Sequence, residues 1–85
     1  MTTSTLTPSF RGAKALTKSD LDAGDTAPGA GLICICSGAG NVKFKTVDGS
    51  TPTYPIAVGL TILPFQVVRV FTTGTTATAT FENGF

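Results

Sequence analysis

Glycine and proline interrupt this chain so often that no parallel-sheet architecture fits it. From residue 31 to residue 85 the longest stretch free of both is nine residues. The crossover joining two parallel strands, helix included, needs at least about 10–12 residues. Short antiparallel strands joined by tight turns are what remains. The pieces between the breaks carry the residues that strands favour, with sixteen Thr in 85 residues and Val, Ile and Phe concentrated after residue 31.

The strands can be placed from side-chain parity. Residues 32–37 form a short apolar run with β-branched Ile33 and Ile35, as expected of a strand buried on both faces. Ser37-Gly38-Ala39-Gly40-Asn41 reads as a turn. Residues 42–47 alternate, with Val42 and Phe44 on one face and Lys43 and Lys45 on the other. Asp48-Gly49 is a two-residue hairpin signal of type I′, in which both central residues need positive φ. Residues 53–58 return with Tyr54, Ile56 and Val58 on one face, and Pro52 and Pro55 mark an edge strand. Gly59 breaks it, and residues 60–64 are a connection or a short strand. Residues 65–72 are the most strand-like segment, with Val67, Val68, Val70 and Phe71 apolar on both sides. Thr73-Gly74-Thr75 turns the chain into a last strand over 76–81. The expected fold is a small antiparallel β-sandwich or barrel of five or six short strands, with an extended N-terminal arm.

The arm is defined by charge. Residues 1–30 hold six of the eleven charged side chains and only four of the 22 Leu, Ile, Val and Phe residues: Leu6, Phe10, Leu16 and Leu21. The chain therefore divides into an arm, 1–30, and a body, 31–85. The arm is expected to become ordered against a partner through those four residues. One helical turn fits within 13–23, with Ser19 or Asp20 as N-cap. The body keeps five charges in 55 positions, and such a charge-poor surface suits a domain covered by its neighbours.

Several chemistries are excluded or poorly supported. The net charge of +1 and the lack of a basic run disfavour nucleic acid and membrane surfaces as partners. The apolar runs at 31–36 and 56–65 are far shorter than the ~20 residues of a membrane-spanning helix. The first nine residues lack the charged and apolar regions of a signal peptide. With no His in the chain, Ser and Thr have no activating base, so no catalytic residues and no cofactor are expected. Cys34 and Cys36 lie about 6.6 Å apart along a strand, near the outer limit of disulfide geometry, and read as small buried thiols made in a reducing cytoplasm. Asp20, Asp22 and Asp25 begin like a calcium loop, but Gly31 stands where a bidentate Glu is needed. Gly29-Ala30-Gly31 and Gly38-Ala39-Gly40 open no helix and read as turns. Lys43, Lys45 and Arg69 make a polar or subunit-facing surface. Arg69, alone in an apolar strand, needs a carboxylate; Asp48 and Glu82 are the candidates within the body, failing which a neighbouring subunit would supply it.

A series of landmarks then carries a resemblance. Gly38-Ala39-Gly40-Asn41-Val42, Asp48-Gly49-Ser50-Thr51 and Val58-Gly59 are followed by Leu63-Pro64-Phe65-Gln66-Val67-Val68-Arg69-Val70 and Thr73-Gly74-Thr75-Thr76-Ala77-Thr78. Their order is similar to that in the head spike base proteins of tailed phages and gene transfer agents, and Ala15-Leu16-Thr17-Lys18-Ser19-Asp20 resembles an upstream segment of that family. The likeness spans about residues 13–81, and Phe81-Glu82-Asn83-Gly84-Phe85 departs from the family's apolar ending. It implies a β-fold structural protein of the virion, on the capsid surface, forming the base of a head spike or fibre at the vertices. The implied partners are further copies of itself (a pentamer first, a trimer next), the major capsid protein and a spike or fibre protein. Expected capsid or subunit contacts are Leu6, Phe10, Leu16, Leu21, Arg69 and Phe85. A trimeric capsid cement protein or a tail or fibre component is the alternative. A small soluble module for glycan or single-stranded nucleic acid is a more distant one, since Tyr54 is the only Tyr and Trp is absent.

Overall fold

The computed structural model describes residues 10–85. Seven strands form two antiparallel sheets that are not closed into a barrel. They are β1 (Ala13–Leu16), β2 (Gly31–Gly38), β3 (Gly40–Thr46), β4 (Thr53–Ile56), β5 (Gly59–Leu63), β6 (Val67–Val70) and β7 (Thr78–Gly84). The four-stranded sheet has the order β1-β7-β2-β5 and the three-stranded sheet β4-β3-β6. One core joins them: Leu16, Leu32, Cys34, Cys36 and Phe81 come from the first, and Val42, Phe44, Ile56, Val67 and Val70 from the second. This is the all-β fold expected; residues 59–63 take the short-strand option left open for 60–64, and 13–16 is a strand that was not anticipated.

Residues 13–16 redraw the boundary at residue 30. β1 pairs with β7 in the register Ala13↔Gly84 to Leu16↔Phe81, and Leu16 is 8% exposed within the core. The expected helical turn becomes a single 3₁₀ turn at Asp22–Gly24. Ser19 Oγ accepts the Leu21 N–H at 3.1 Å, so it closes a local turn, while Asp20 is used elsewhere.

Three other expectations change for physical reasons. β2 is buried on one face only, through Leu32, Cys34 and Cys36, while Ile35 is half exposed. The Gly38–Gly40 region is a corner, with Ala39 alone between two strands of different sheets. A break in the β2–β7 register between Cys36 and Gly38 bends β2 toward it, as bulges do. The hairpin at Asp48 is not type I′, since among the described residues no residue other than Gly has positive φ. Gly49, at φ 92°, donates to the Thr46 carbonyl at 2.9 Å, and Thr46 donates to the Ser50 carbonyl at 2.9 Å. That is a three-residue loop with Gly in the left-handed position. Its Asp48 carboxylate accepts the Thr46 hydroxyl and the Ser50 N–H, which hold its pKa down at about 2.

β6 is covered on both faces, as expected. Val67 and Val70 both enter the core although an unbroken strand would point them apart. A register break reconciles them, since Lys45 faces Arg69 while Thr46 faces Val67, leaving Val68 as the extra residue.

Candidate assembly surface

The two sheets present opposite kinds of outer face. On the three-stranded sheet, Lys43, Lys45, Arg69 and Phe71 share the outward side. Phe71 is flanked by cations, with Lys43 Nζ 5.0 Å and the Arg69 guanidinium carbon 4.6 Å from its ring centre. The segment before β2 folds across this side. Thr26 donates its N–H to the Val68 carbonyl at 2.8 Å and Ser19 to that of Val70 at 2.9 Å. Asp20 accepts the N–H groups of Thr73 (2.9 Å) and Thr72 (3.0 Å) and the Thr73 hydroxyl (2.7 Å), which lowers its pKa.

Arg69 is 5% exposed at the centre of this clasp, and its carboxylate partners come from neither Asp48 nor Glu82. Nη2 lies 3.2 Å from Asp22 and Nε 3.1 Å from Asp25, as ion pairs, and Nε and Nη1 are buried without an aligned hydrogen bond. Asp25 also takes Lys45 Nζ at 3.0 Å. The chain thus satisfies in cis the charge for which a neighbouring subunit was the fallback. The acidic triad is spent on these contacts, and among the described residues no group of three or more His, Cys, Asp and Glu could hold a metal. The sequence carried a signal for this pairing: the body has three cations and two acids, whereas three Asp stand within six residues of the preceding segment.

Among the described residues, nothing comparable covers the middle of the outer face of the four-stranded sheet. Registers Ile33↔Ile62 and Ile35↔Leu60 place four large aliphatic side chains on the side opposite the core, with Thr80 and Glu82 of β7 beside them. Leu60 is 67% exposed. Phe10 lies over one end of the face, on Gly31 and Gly84. A β-carbon at Gly84 would stand 2.5 Å from that ring and one at Gly31 2.9 Å, so the aromatic seat requires both glycines.

The expected contact residues therefore separate. Leu16 belongs to the core, and Arg69 is engaged within the chain. Phe10 sits at the rim of the exposed face. Leu21 is 71% exposed on the clasp, away from any apolar neighbour in the core. Phe85 is partly exposed, with Lys14 Nζ 5.9 Å from its ring centre. Leu6 lies outside the described residues. Ile33, Ile35, Leu60 and Ile62 were not anticipated as contacts; the two-sided apolar run at 32–36 was the available signal, read as burial within one domain.

Both cysteines are buried and unbridged, and burial, with Cys36 adding to it, pushes the Cys34 thiol up to about 11. Phe44, Tyr54 and Phe65 pack together with ring centres 5.5–5.8 Å apart. Among the described residues no helix is long and apolar enough to cross a membrane. Compared with models of protein families, with curated proteins and with solved structures, the chain matches none.

Proposed function

We propose that this protein is a structural component of a tailed-phage virion, decorating the capsid exterior as the base of a head spike or fibre at the vertices. The observation that carries the reading is the aliphatic outer face of the four-stranded sheet, Ile33, Ile35, Leu60 and Ile62, on a body that is otherwise rich in Thr and poor in charge. An exposed apolar face on a small domain marks a surface meant for another protein. The order of landmarks shared with head spike base proteins gives that protein contact its setting. In this reading the partners are sister subunits, the major capsid protein and a spike or fibre protein, with Phe10 at the rim of the contact.

A cement protein or a tail component uses the same kind of surface at a different place, so location is the test. Antibody labelling and copy counting on purified particles are expected to find the protein at the fivefold vertices. Copies spread over the whole shell would assign it to cement, and labelling confined to the tail would remove it from the capsid. Deleting residues 1–9 is expected to weaken attachment to particles while leaving the β-sandwich folded. The glycan or oligonucleotide module has less support, because Tyr54 is packed against Phe44 and Phe65 and offers one partly exposed ring.

A further inference from the structure

The two sheets have four edge strands, and two of them are closed to further pairing. β4 carries Pro55 within it and Pro52 just before it, which removes backbone donors. β6 has its free edge occupied by the chain itself, through the bonds from Ser19 and Thr26 to the Val70 and Val68 carbonyls. The two edges left open among the described residues, β1 and β5, belong to the same sheet. β5 reads Gly-Leu-Thr-Ile-Leu, with neither proline nor charge. Edge strands without such protection are templates for another strand. β1 carries one charge, Lys14, which lies over the Phe85 ring.

Strand direction then selects the occupant. In the order β1-β7-β2-β5 every neighbouring pair is antiparallel, so the two edge strands of this even-numbered sheet run in opposite directions. When one copy is rotated to stand beside another without being inverted, β5 of the first meets β1 of the second antiparallel. The same contact repeats at the next copy, and such head-to-tail contacts form a ring where the rotation from copy to copy closes. The outward positions also match in chemistry: Ala13 and Ala15 of β1 share a face with Leu60 and Ile62 of β5, so small side chains meet large ones and no charge faces another.

We propose that β5 of one copy of this chain pairs antiparallel with β1 of the next, joining the four-stranded sheets into one continuous ring. This rests on the homo-oligomer reading above and supplies its interface. The pairing adds backbone hydrogen bonds at two bare edges and extends the aliphatic outer face around the ring.

Disulfide trapping tests it. Two double variants cover the two registers that set Ala15 opposite an outward residue of β5: Ala15→Cys with Leu60→Cys, and Ala15→Cys with Ile62→Cys. After mild oxidation, one of them is expected to give a ladder of covalent multimers on non-reducing gels, ending at the mass measured for the native oligomer. The single variants and the parent, whose own thiols are buried, are expected to give no ladder. Leu60→Lys, at an exposed position, should keep the melting temperature of the monomer and weaken assembly at least tenfold. Three results would overturn the proposal: cross-linked dimers from Leu60→Cys or Ile62→Cys alone, an oligomer that neither double variant cross-links, or a chain that stays monomeric at the highest soluble concentration. Assembly unchanged by Leu60→Lys would overturn it as well. The virion reading fails differently, through absence from purified particles. A protein found at the vertices without the cross-link would keep its location and lose this interface.

Discussion

β5 and β6 are separated by only Pro64, Phe65 and Gln66, are similarly short, and meet opposite fates. β6, which contains Arg69, has all four side chains buried; β5, wholly uncharged, has none. Hydropathy alone would have ranked them the other way. What decides is where the chain's own acidic segment lies: it crosses the outside of β6, bonds to its edge and neutralises its one charge, and nothing among the described residues does this for β5. Burial here follows from what the rest of the chain folds over, not from the composition of the strand itself.

The sharpest way to break that comparison is to shorten one side chain on each side of the sandwich. Phe44, fully buried, is expected to cost about 3–5 kcal/mol as Phe44→Ala. Leu60→Ala in the monomer should stay within about 0.5 kcal/mol, as exposed substitutions do. Equal losses in urea denaturation would mean that the four-stranded face is not free.

Next in size is the clasp. Arg69→Ala removes a buried cation whose guanidinium stacks on Phe71, and is expected to cost about 2 kcal/mol; the figure lies below that for a fully buried pair because the Asp22 side chain left behind is 89% exposed. Amide exchange at Ser19 and Thr26, which bond to β6, should quicken with it. Asp25→Asn should weaken the clasp more than Asp22→Asn, because Asp25 serves both Arg69 and Lys45. Exchange rates at Ser19 and Thr26 unmoved by Arg69→Ala would show that the backbone bonds hold the segment alone.

Acid probes the clasp, through Asp20, and the β3–β4 loop, through Asp48, more gently. Asp20 is held below its ordinary 3.8, chiefly by the Thr73 N–H and then its hydroxyl, and Asp48 at about 2, chiefly by the Thr46 hydroxyl and then the Ser50 N–H. Because both values are depressed in the folded state, their stabilisation is complete above about pH 5 and is lost as pH falls through the folded values. Melting temperature should therefore drop between about pH 4 and pH 2, and Asp48→Asn should flatten the lower part of that fall. A melting temperature constant across this range would contradict the hydrogen bonds assigned to both carboxylates. The smallest effect concerns the thiols: with Cys34 pushed up to about 11 by burial, alkylation of the folded protein at pH 8 should run at least tenfold slower than of the unfolded chain. Equal rates would place Cys34 outside the core.

The legible parts of this fold were those where local chemistry and tertiary packing agree. The alternation of Val42, Phe44 and Thr46 became the inner face of β3, and Pro52 and Pro55 marked β4 as an edge. The clasp was hidden because its acids and its arginine lie more than forty residues apart, and no local pattern records such a pairing. β1 was hidden because Ala-Lys-Ala-Leu carries a single core residue, and only β7 beside it makes it a strand. The aliphatic outer face was half visible. Ile33 and Ile35 stood out as apolar, but a side chain inside the core and one on the outer face of the sheet have the same local composition.

The place of β7 has a consequence for how the molecule is made. This strand, the last of seven along the chain, lies between β1 and β2 and pairs with both. During synthesis β1 has no neighbour in its sheet until residues 78–84 have left the ribosome, and pairing between such distant segments is slow. A chain broken off before that point lacks the strand that joins the β1 edge to β2. Completion of the four-stranded sheet is thus gated by residues 78–84: until they emerge, nothing holds β1 beside β2, and both margins of that sheet come into being together.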